Sequence, residues 1–222
     1  MRGNTLLLET STEVGSVAVA RDGAIVADLS FASRDPATGV RTESLAPAIV
    51  QCLGRAAVPV RDIAAIVCGA GPGGFTSLRS AAAFAKGLCS AVNIPLYAVS
   101  SLELLAWSAP IPDGKFIAAL QAGRNEWFGQ DVERDGERTE LVGAAYIVGD
   151  DELRAREERM HARLIGPGLE FDVRPLARAA VPWLHDIEAR GPVDIDSWEP
   201  TYGRLAEAQV KWEAAHGRPL TT

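Results

Sequence analysis

Apolar residues in this chain gather in short runs of strand length, separated by polar turns and by a few stretches of helical period. NTLLLE (4–9) reads as a short apolar strand. GSVAVAR (15–21) and AIVADLSF (24–31) flank Asp22-Gly23, and two such runs joined by Asp-Gly predict a tight hairpin. In RTESLAPAIVQCLGRA (41–56), Leu45, Ile49, Cys52, Leu53 and Ala56 recur at helical spacing. Pro47 fits only near the start of that helix, which makes Ser44 the expected N-cap. IAAIVCG (63–69) is apolar throughout, as in a strand covered on both faces. A glycine-rich loop, a helix at about 77–92 and a strand PLYAVS (95–100) follow.

The same order then recurs. KFIAALQA (115–122) is a strand, and NEWFGQDVER (125–134) and RTELVGAAYI (138–147) flank a second Asp-Gly at 135–136. DDELRAREERM (150–160) is helical, RLIG (163–166) is a short strand and VRPLARAAVPWL (173–184) a broken helix. PVDIDSWEPTYG (192–203) forms a loop and RLAEAQVKWEAAH (204–216) a last helix. Such a repeat of element order predicts an internal duplication. A three-stranded meander continued by parallel strands and crossover helices is a ribonuclease-H-like unit. Two in tandem make an α/β, actin-like fold, here with a reduced second copy. The expected lobes are 1–104 and 105–222, the second carrying the C-terminal helix.

Composition adds limits. The formal net charge of −7 over 222 residues disfavours a grip on nucleic acid by this chain alone. Cys52, Cys68 and Cys89 are odd in number and sit in apolar contexts, which predicts buried free thiols rather than disulfides. The N-terminus does not read as a signal peptide, and no run reaches the ~20 apolar residues that span a bilayer. A cytoplasmic location is expected.

The stretch VCGAGPGGFTSLRSAAAFAKGLC (67–89) has the look of a phosphate loop. Gly69, Gly71 and Gly74 match G-x-G-x-x-G, but the loop follows a hairpin and a helix, and Glu103 is badly placed to serve as the ribose acid. A Walker A loop would end in Gly-Lys-Ser/Thr, whereas this one continues Gly74-Phe75-Thr76. The plainer reading is a sharp strand-to-helix turn, with Thr76 or Ser77 as cap and N–H groups open to an anion. Arg79 either assists there or is a solvated charge, and Lys86, mid-helix, is expected to snorkel. His161, His185 and His216 are scattered, off metal-ligand spacing, and Ser11, Ser77 and Ser100 have no His nearby in sequence. Trp127, Trp183, Trp198 and Trp212 either fill the second lobe or, for the last two, seat the C-terminal segment.

GAGPGGFTSLRSAAAFAKGL (69–88) resembles the Gly-Pro-Gly-Ser-Phe-Thr-Gly-Leu-Arg signature of the TsaB (YeaZ) family. LLLETSTEVGSVAVARDG (6–23) is similar to that family's Leu-Asp-Thr-Ser-Thr opening. ESLAPAI (43–49) is similar to its Glu-x-Leu-Leu-Pro-x-Ile helix, and YGRLAEAQVKW (202–212) to its C-terminal motif. The resemblance implies an actin-like (ASKHA) fold and a non-catalytic subunit that heterodimerises with a TsaD-like transferase. A TsaE-like ATPase joins them, and the complex places a threonylcarbamoyl group on N6 of adenosine 37 of tRNA. It implies no cofactor or metal for this subunit and tRNA contact only through the complex, with a homodimer open to the isolated chain.

Family members bind TsaD through helices of the N-terminal lobe. The interface is therefore expected at Leu45, Ile49 and Leu53 on one helix and Leu78, Ala82, Ala85 and Cys89 on the next, although periodicity leaves open which face points outward. The motif loop is Gly71, Pro72, Gly73, Gly74, Phe75 and Thr76, with Arg79. Glu9 stands where the family has Asp, Gln121 where it has another Asp, Asn125 where it has Gly, and Arg41 where relatives keep a His. A neutral Gln is a poor ligand for a hard dication. Two alternatives remain: an actin-like ATPase or kinase using Glu9 and the glycine loop, and a metallopeptidase-like enzyme.

Overall fold

A computed structural model describes residues 1–32, 44–123, 125–136 and 138–202. Strand β1 (Asn4–Glu9) pairs antiparallel with β2 (Val14–Arg21), which pairs antiparallel with β3 (Ala24–Ala32). On its other side β1 runs parallel to β4 (Ile63–Gly69), and β4 to β5 (Leu96–Val99), giving the order β3-β2-β1-β4-β5. The first hairpin turns at Asp22 (φ 51°) and Gly23 (φ 80°), the two positive φ values that a tight Asp-Gly turn requires. Alternation along β1 sends Leu6 and Leu8 to one face and Leu7 to the other.

Helices α1 (Leu45–Ala56) and α2 (Phe75–Val92) cover the Leu6/Leu8 face with Ile49, Cys52, Leu53, Ala81, Ala85 and Cys89. The Leu7 face is covered by Leu104 of α3 (Ser101–Ser108), a 3-10 segment (Ala177–Trp183) and α5 (Leu184–Ala189). The chain thus returns to the first sheet after completing the second, and the expected 104/105 boundary does not divide the two cores.

The second sheet has the order β8-β7-β6-β9, the first sheet's plan without its fifth strand. It comprises β6 (Gly114–Gly123), β7 (Glu126–Asp135), β8 (Arg138–Gly149) and β9 (Arg163–Ile165), with β9 parallel to β6. One face packs Ile117, Trp127 and Leu164 against Leu153 of α4 (Asp150–Met160). The other packs Phe116 and Phe128 against Leu102 and Leu105 of α3. Helix α3 is therefore apolar on both sides because it is wedged between both sheets. The result is the mixed α/β, two-sheet, actin-like architecture with a reduced second lobe.

Several local expectations shift. The residue capping α2 is Gly74 rather than Thr76 or Ser77, and Ser77 Oγ donates back to Gly74 O at 3.1 Å. The broken helix at 173–184 is the 3-10 segment, with Pro182 inside it. Trp127 fills the second lobe, Trp183 stacks on Trp107 at 5.0 Å, and Trp198 packs on the first-lobe core. Trp212, His216, Arg41 and the helix expected at 204–216 lie outside the described residues.

Candidate functional site: the glycine loop, the cleft and the two helices

The loop between β4 and α2 is short because it doubles back on β1. Gly71 takes φ 84°, and a Cβ there would run into the Thr201 carbonyl, so a side chain is excluded on both counts. Three of the loop's donors are spent within the chain. Ala70 N donates to Val99 O at 2.7 Å, Gly71 N to Ser101 Oγ at 3.2 Å and Gly74 N to Ser11 O at 2.8 Å. Ser101 N donates in return to Gly71 O at 2.7 Å.

Glu9, the last residue of β1, is 1% exposed beneath this loop. Its Oε1 accepts from Ser11 N at 2.5 Å and its Oε2 from Ser101 Oγ at 2.8 Å. Burial pushes its carboxyl above the usual carboxylate range, against the hydrogen bonds from Ser11, Ser101 and Thr10. A Cβ on Gly69 would run into Oε2, so the glycine in β4 is the complement of this acid.

A C-terminal strap seals the outside. Val193 N donates to Leu96 O at 2.8 Å, along the exposed edge of β5, and Thr201 N to Ala70 O at 2.7 Å. Tyr202 meets Phe75 at 4.6 Å between ring centroids, and Arg79 lies over the same Phe75 ring at 5.3 Å. Lys86 does not snorkel freely: its Nζ donates to Trp198 O at 2.7 Å. Arg79 and Lys86, the two cations of α2, are thus turned to the strap side.

Between the lobes lies a cleft of about 450 Å³, walled by Ser11–Val14, Gly74, Ser77, Gln121, Gly123, Pro167 and Arg174. The actin-like plan would put a metal–phosphate group here, and the residues do not fit one. Glu9 is committed beneath the loop rather than open to the cleft, the second lobe offers neutral Gln121 with the cation Arg174, and Glu13 is left as the single carboxylate on the described wall, too few for a hard dication. Among the described residues no group of three or more His, Cys, Asp or Glu is placed to hold a metal ion. His161 ends α4, His185 lies in α5, and Ser100 Oγ caps α3 by accepting from Leu102 N at 3.2 Å. All three cysteines are free and buried, and burial pushes the Cys52 and Cys89 thiols up to about 11 and Cys68 higher still.

The helix residues expected at a protein interface face the other way. Ile49, Leu53, Leu78, Ala82, Ala85 and Cys89 are buried, and Leu45 packs half-buried on the same core. They seat α1 and α2 on the chain's own sheet. The faces left outside carry Ala46, Val50, Gln51, Gly54 and Arg55 on α1 and Thr76, Ser80, Ala83, Gly87, Ser90 and Ala91 on α2. Val50 is 70% exposed, and beyond Gly54 and Gly87 an added Cβ would meet no other element among the described residues within 4 Å. A period of 3.6 marks these outer positions as well as the inner ones, but their small side chains gave no apolar signal to read.

The TsaD family, tRNA N6-adenosine threonylcarbamoyltransferase, matches residues 38–172. The chain belongs to this family. It is 31% identical to the tRNA threonylcarbamoyladenosine biosynthesis protein TsaB of Escherichia coli K12 over 151 residues, 64% of this chain and 63% of the relative. The chain thus spans less than two thirds of that relative's length in the match. Against TsaB of Bacillus subtilis 168 the identity is 24%, over 93% of this chain and 96% of the relative. Among solved structures, YeaZ from Pseudomonas aeruginosa superposes with a TM-score of 0.76 at 24% identity, over 90% of this chain and 99% of that one. A second Pseudomonas aeruginosa structure, described as similar to peptidase YeaZ, gives 0.73 at 26% identity, over 91% and 100%.

Proposed function

We propose that the chain is the TsaB-type subunit of a tRNA threonylcarbamoyladenosine complex, that it performs no chemistry itself, and that it docks a TsaD-like transferase. The docking surface is the outer faces of α1 and α2. A TsaE-like ATPase and tRNA meet it only within that complex.

The observation that carries the docking surface is the pair of glycines inside its helices. A helix-interior Gly costs about 1 kcal/mol relative to Ala. Gly54 and Gly87 give the described fold nothing in exchange, since an added Cβ at either would meet no other element among the described residues within 4 Å. A helix from a partner can use them, because backbones approach closely only where side chains are small. Val50, 70% exposed one turn before Gly54, supplies the apolar anchor. The non-catalytic reading is supported by the commitment of Glu9 and by neutral Gln121, which leave Glu13 as the single carboxylate on the described cleft wall.

The test is co-purification of tagged chain with its cognate TsaD-like transferase. Gly87→Arg and Val50→Glu, both on outer faces, should each abolish the complex while leaving the Tm of the isolated chain within about 2 °C, as for surface changes. Cells carrying either variant as the sole copy should lose threonylcarbamoyladenosine from tRNA. Retention of the complex by both variants would show that the partner docks elsewhere.

A further inference from the structure

The misfit between this chain and a metal–phosphate ligand has a specific cause. We propose that Glu9 is an internal anion: its carboxylate occupies a cradle built from the end of β1, the glycine loop and the start of α3, and locks the loop shut. The cradle has the parts of a carboxylate site. Ser11 N–H reaches Oε1 at 2.5 Å and Ser101 O–H reaches Oε2 at 2.8 Å. Gly69, without a side chain, leaves the space that Oε2 fills. Both donors also tie the carboxylate to the loop. Ser101 Oγ accepts from Gly71 N at 3.2 Å, and Ser11 O accepts from Gly74 N at 2.8 Å.

Glu9 therefore joins three segments that are distant in sequence: positions 9–11, 69–74 and 101. Ser11 and Gly74 also form part of the cleft wall, so the locked loop meets the cleft with the Gly74 N–H already used. The lock belongs to the isolated chain, whichever surface the transferase binds.

The prediction is chemical rescue. Glu9→Ala removes the carboxylate and leaves both donors, so the vacated cradle should bind a small carboxylate. Thermal unfolding of the isolated chain is followed in sodium formate and, at equal ionic strength, in sodium chloride. Glu9→Ala should unfold at a lower Tm than the parent in chloride and recover by about 3 °C at a formate concentration ten times half-saturation. The parent and Glu9→Gln, whose cradles stay filled, should show no formate-specific rise. Ser101→Ala placed on top of Glu9→Ala should lose the rescue. Equal Tm of Glu9→Ala in formate and chloride overturns the proposal.

Should Glu9→Ala fail to fold, Ser101→Ala alone decides by amide exchange. Loss of the lock should speed exchange at Gly71 and Gly74 at least about tenfold, as expected for local opening of a loop that is no longer held. Unchanged protection at both amides overturns the proposal equally.

Discussion

At the scale of single residues, Glu9 and Gly69 form one unit. An alanine at 69 would put its Cβ into Oε2 of a side chain held from both sides by Ser11 and Ser101. Overpacking of this kind costs about 1–3 kcal/mol. Gly69→Ala should therefore lower the Tm by several degrees, at roughly 2–4 °C per kcal/mol for a chain of this size. Combined with Glu9→Ala, which empties the space, the cost of Gly69→Ala should fall by at least half, and non-additivity in thermal unfolding reads the coupling. The sequence showed the sharp turn at this loop, because Gly71, Pro72, Gly73 and Gly74 have few other uses. It did not show that Glu9 fills the loop from beneath, since that contact joins positions 60 residues apart and leaves no local pattern. The seven apolar helix positions were legible as one face. Their inward direction was not, because an apolar stripe fits a sheet and a partner equally well until the sheet's own neighbours are known.

At the scale of elements, legibility followed periodicity. Both Asp-Gly hairpins and helix α4 appeared where alternation, turn residues or charge spacing marked them. Helix α3 did not, because a helix buried on two sides has no polar face to give it a period. Helix α4 raises the opposite problem: it buries only Leu153, so something else must hold it to its sheet. Asp131 of β7 does so, paired with the Arg156 guanidinium through both its oxygens and accepting from Tyr146 Oη at 2.8 Å. Arg156 also lies over the Tyr146 ring at 4.4 Å. Burial alone would raise the Asp131 carboxyl, but the bonds from Arg156 and Tyr146 outweigh it and hold it below the usual range. A depressed carboxyl stabilises the fold above its unfolded value and loses that contribution as pH falls through the folded one. Asp131→Asn should accordingly cost about 1.5–3 kcal/mol at pH 7, the scale of hydrogen bonds made to a charged group. The deficit relative to the parent should shrink as pH drops below about 4, where the carboxyl begins to protonate in the unfolded chain, and vanish below the lower folded value. Urea midpoints of the two proteins at pH 7 and pH 3 measure it, and a deficit independent of pH would mean that the pair does not link α4 to proton binding.

At the scale of the whole molecule, the two lobes present unequal surfaces. The first lobe shows paired helices with small outer residues and Val50, and the second shows an edge strand, β8, with Val142 and Ile147 40% and 43% exposed. Either surface has apolar groups to offer, but their shapes differ. The β8 edge is interrupted by the positive φ of Gly143 (70°), and Gln130 Nε2 donates to the carbonyls of Val142 and Gly143 at 2.9 and 3.1 Å. An edge kinked and partly capped in this way is a poor template for another strand. The helices, by contrast, keep regular backbones with open space beyond their glycines. If the first lobe is the docking face, Val50→Glu should break the complex with the TsaD-like transferase, and Val142→Glu and Ile147→Glu should leave it intact. Each change moves the net charge from −7 by the same single unit, so a difference between them cannot come from long-range repulsion by an acidic chain. Size-exclusion chromatography of the three variants with the transferase separates the outcomes. Loss of the complex only in the β8 variants would transfer the interface to the second lobe and leave Gly54 and Gly87 without a partner to explain them.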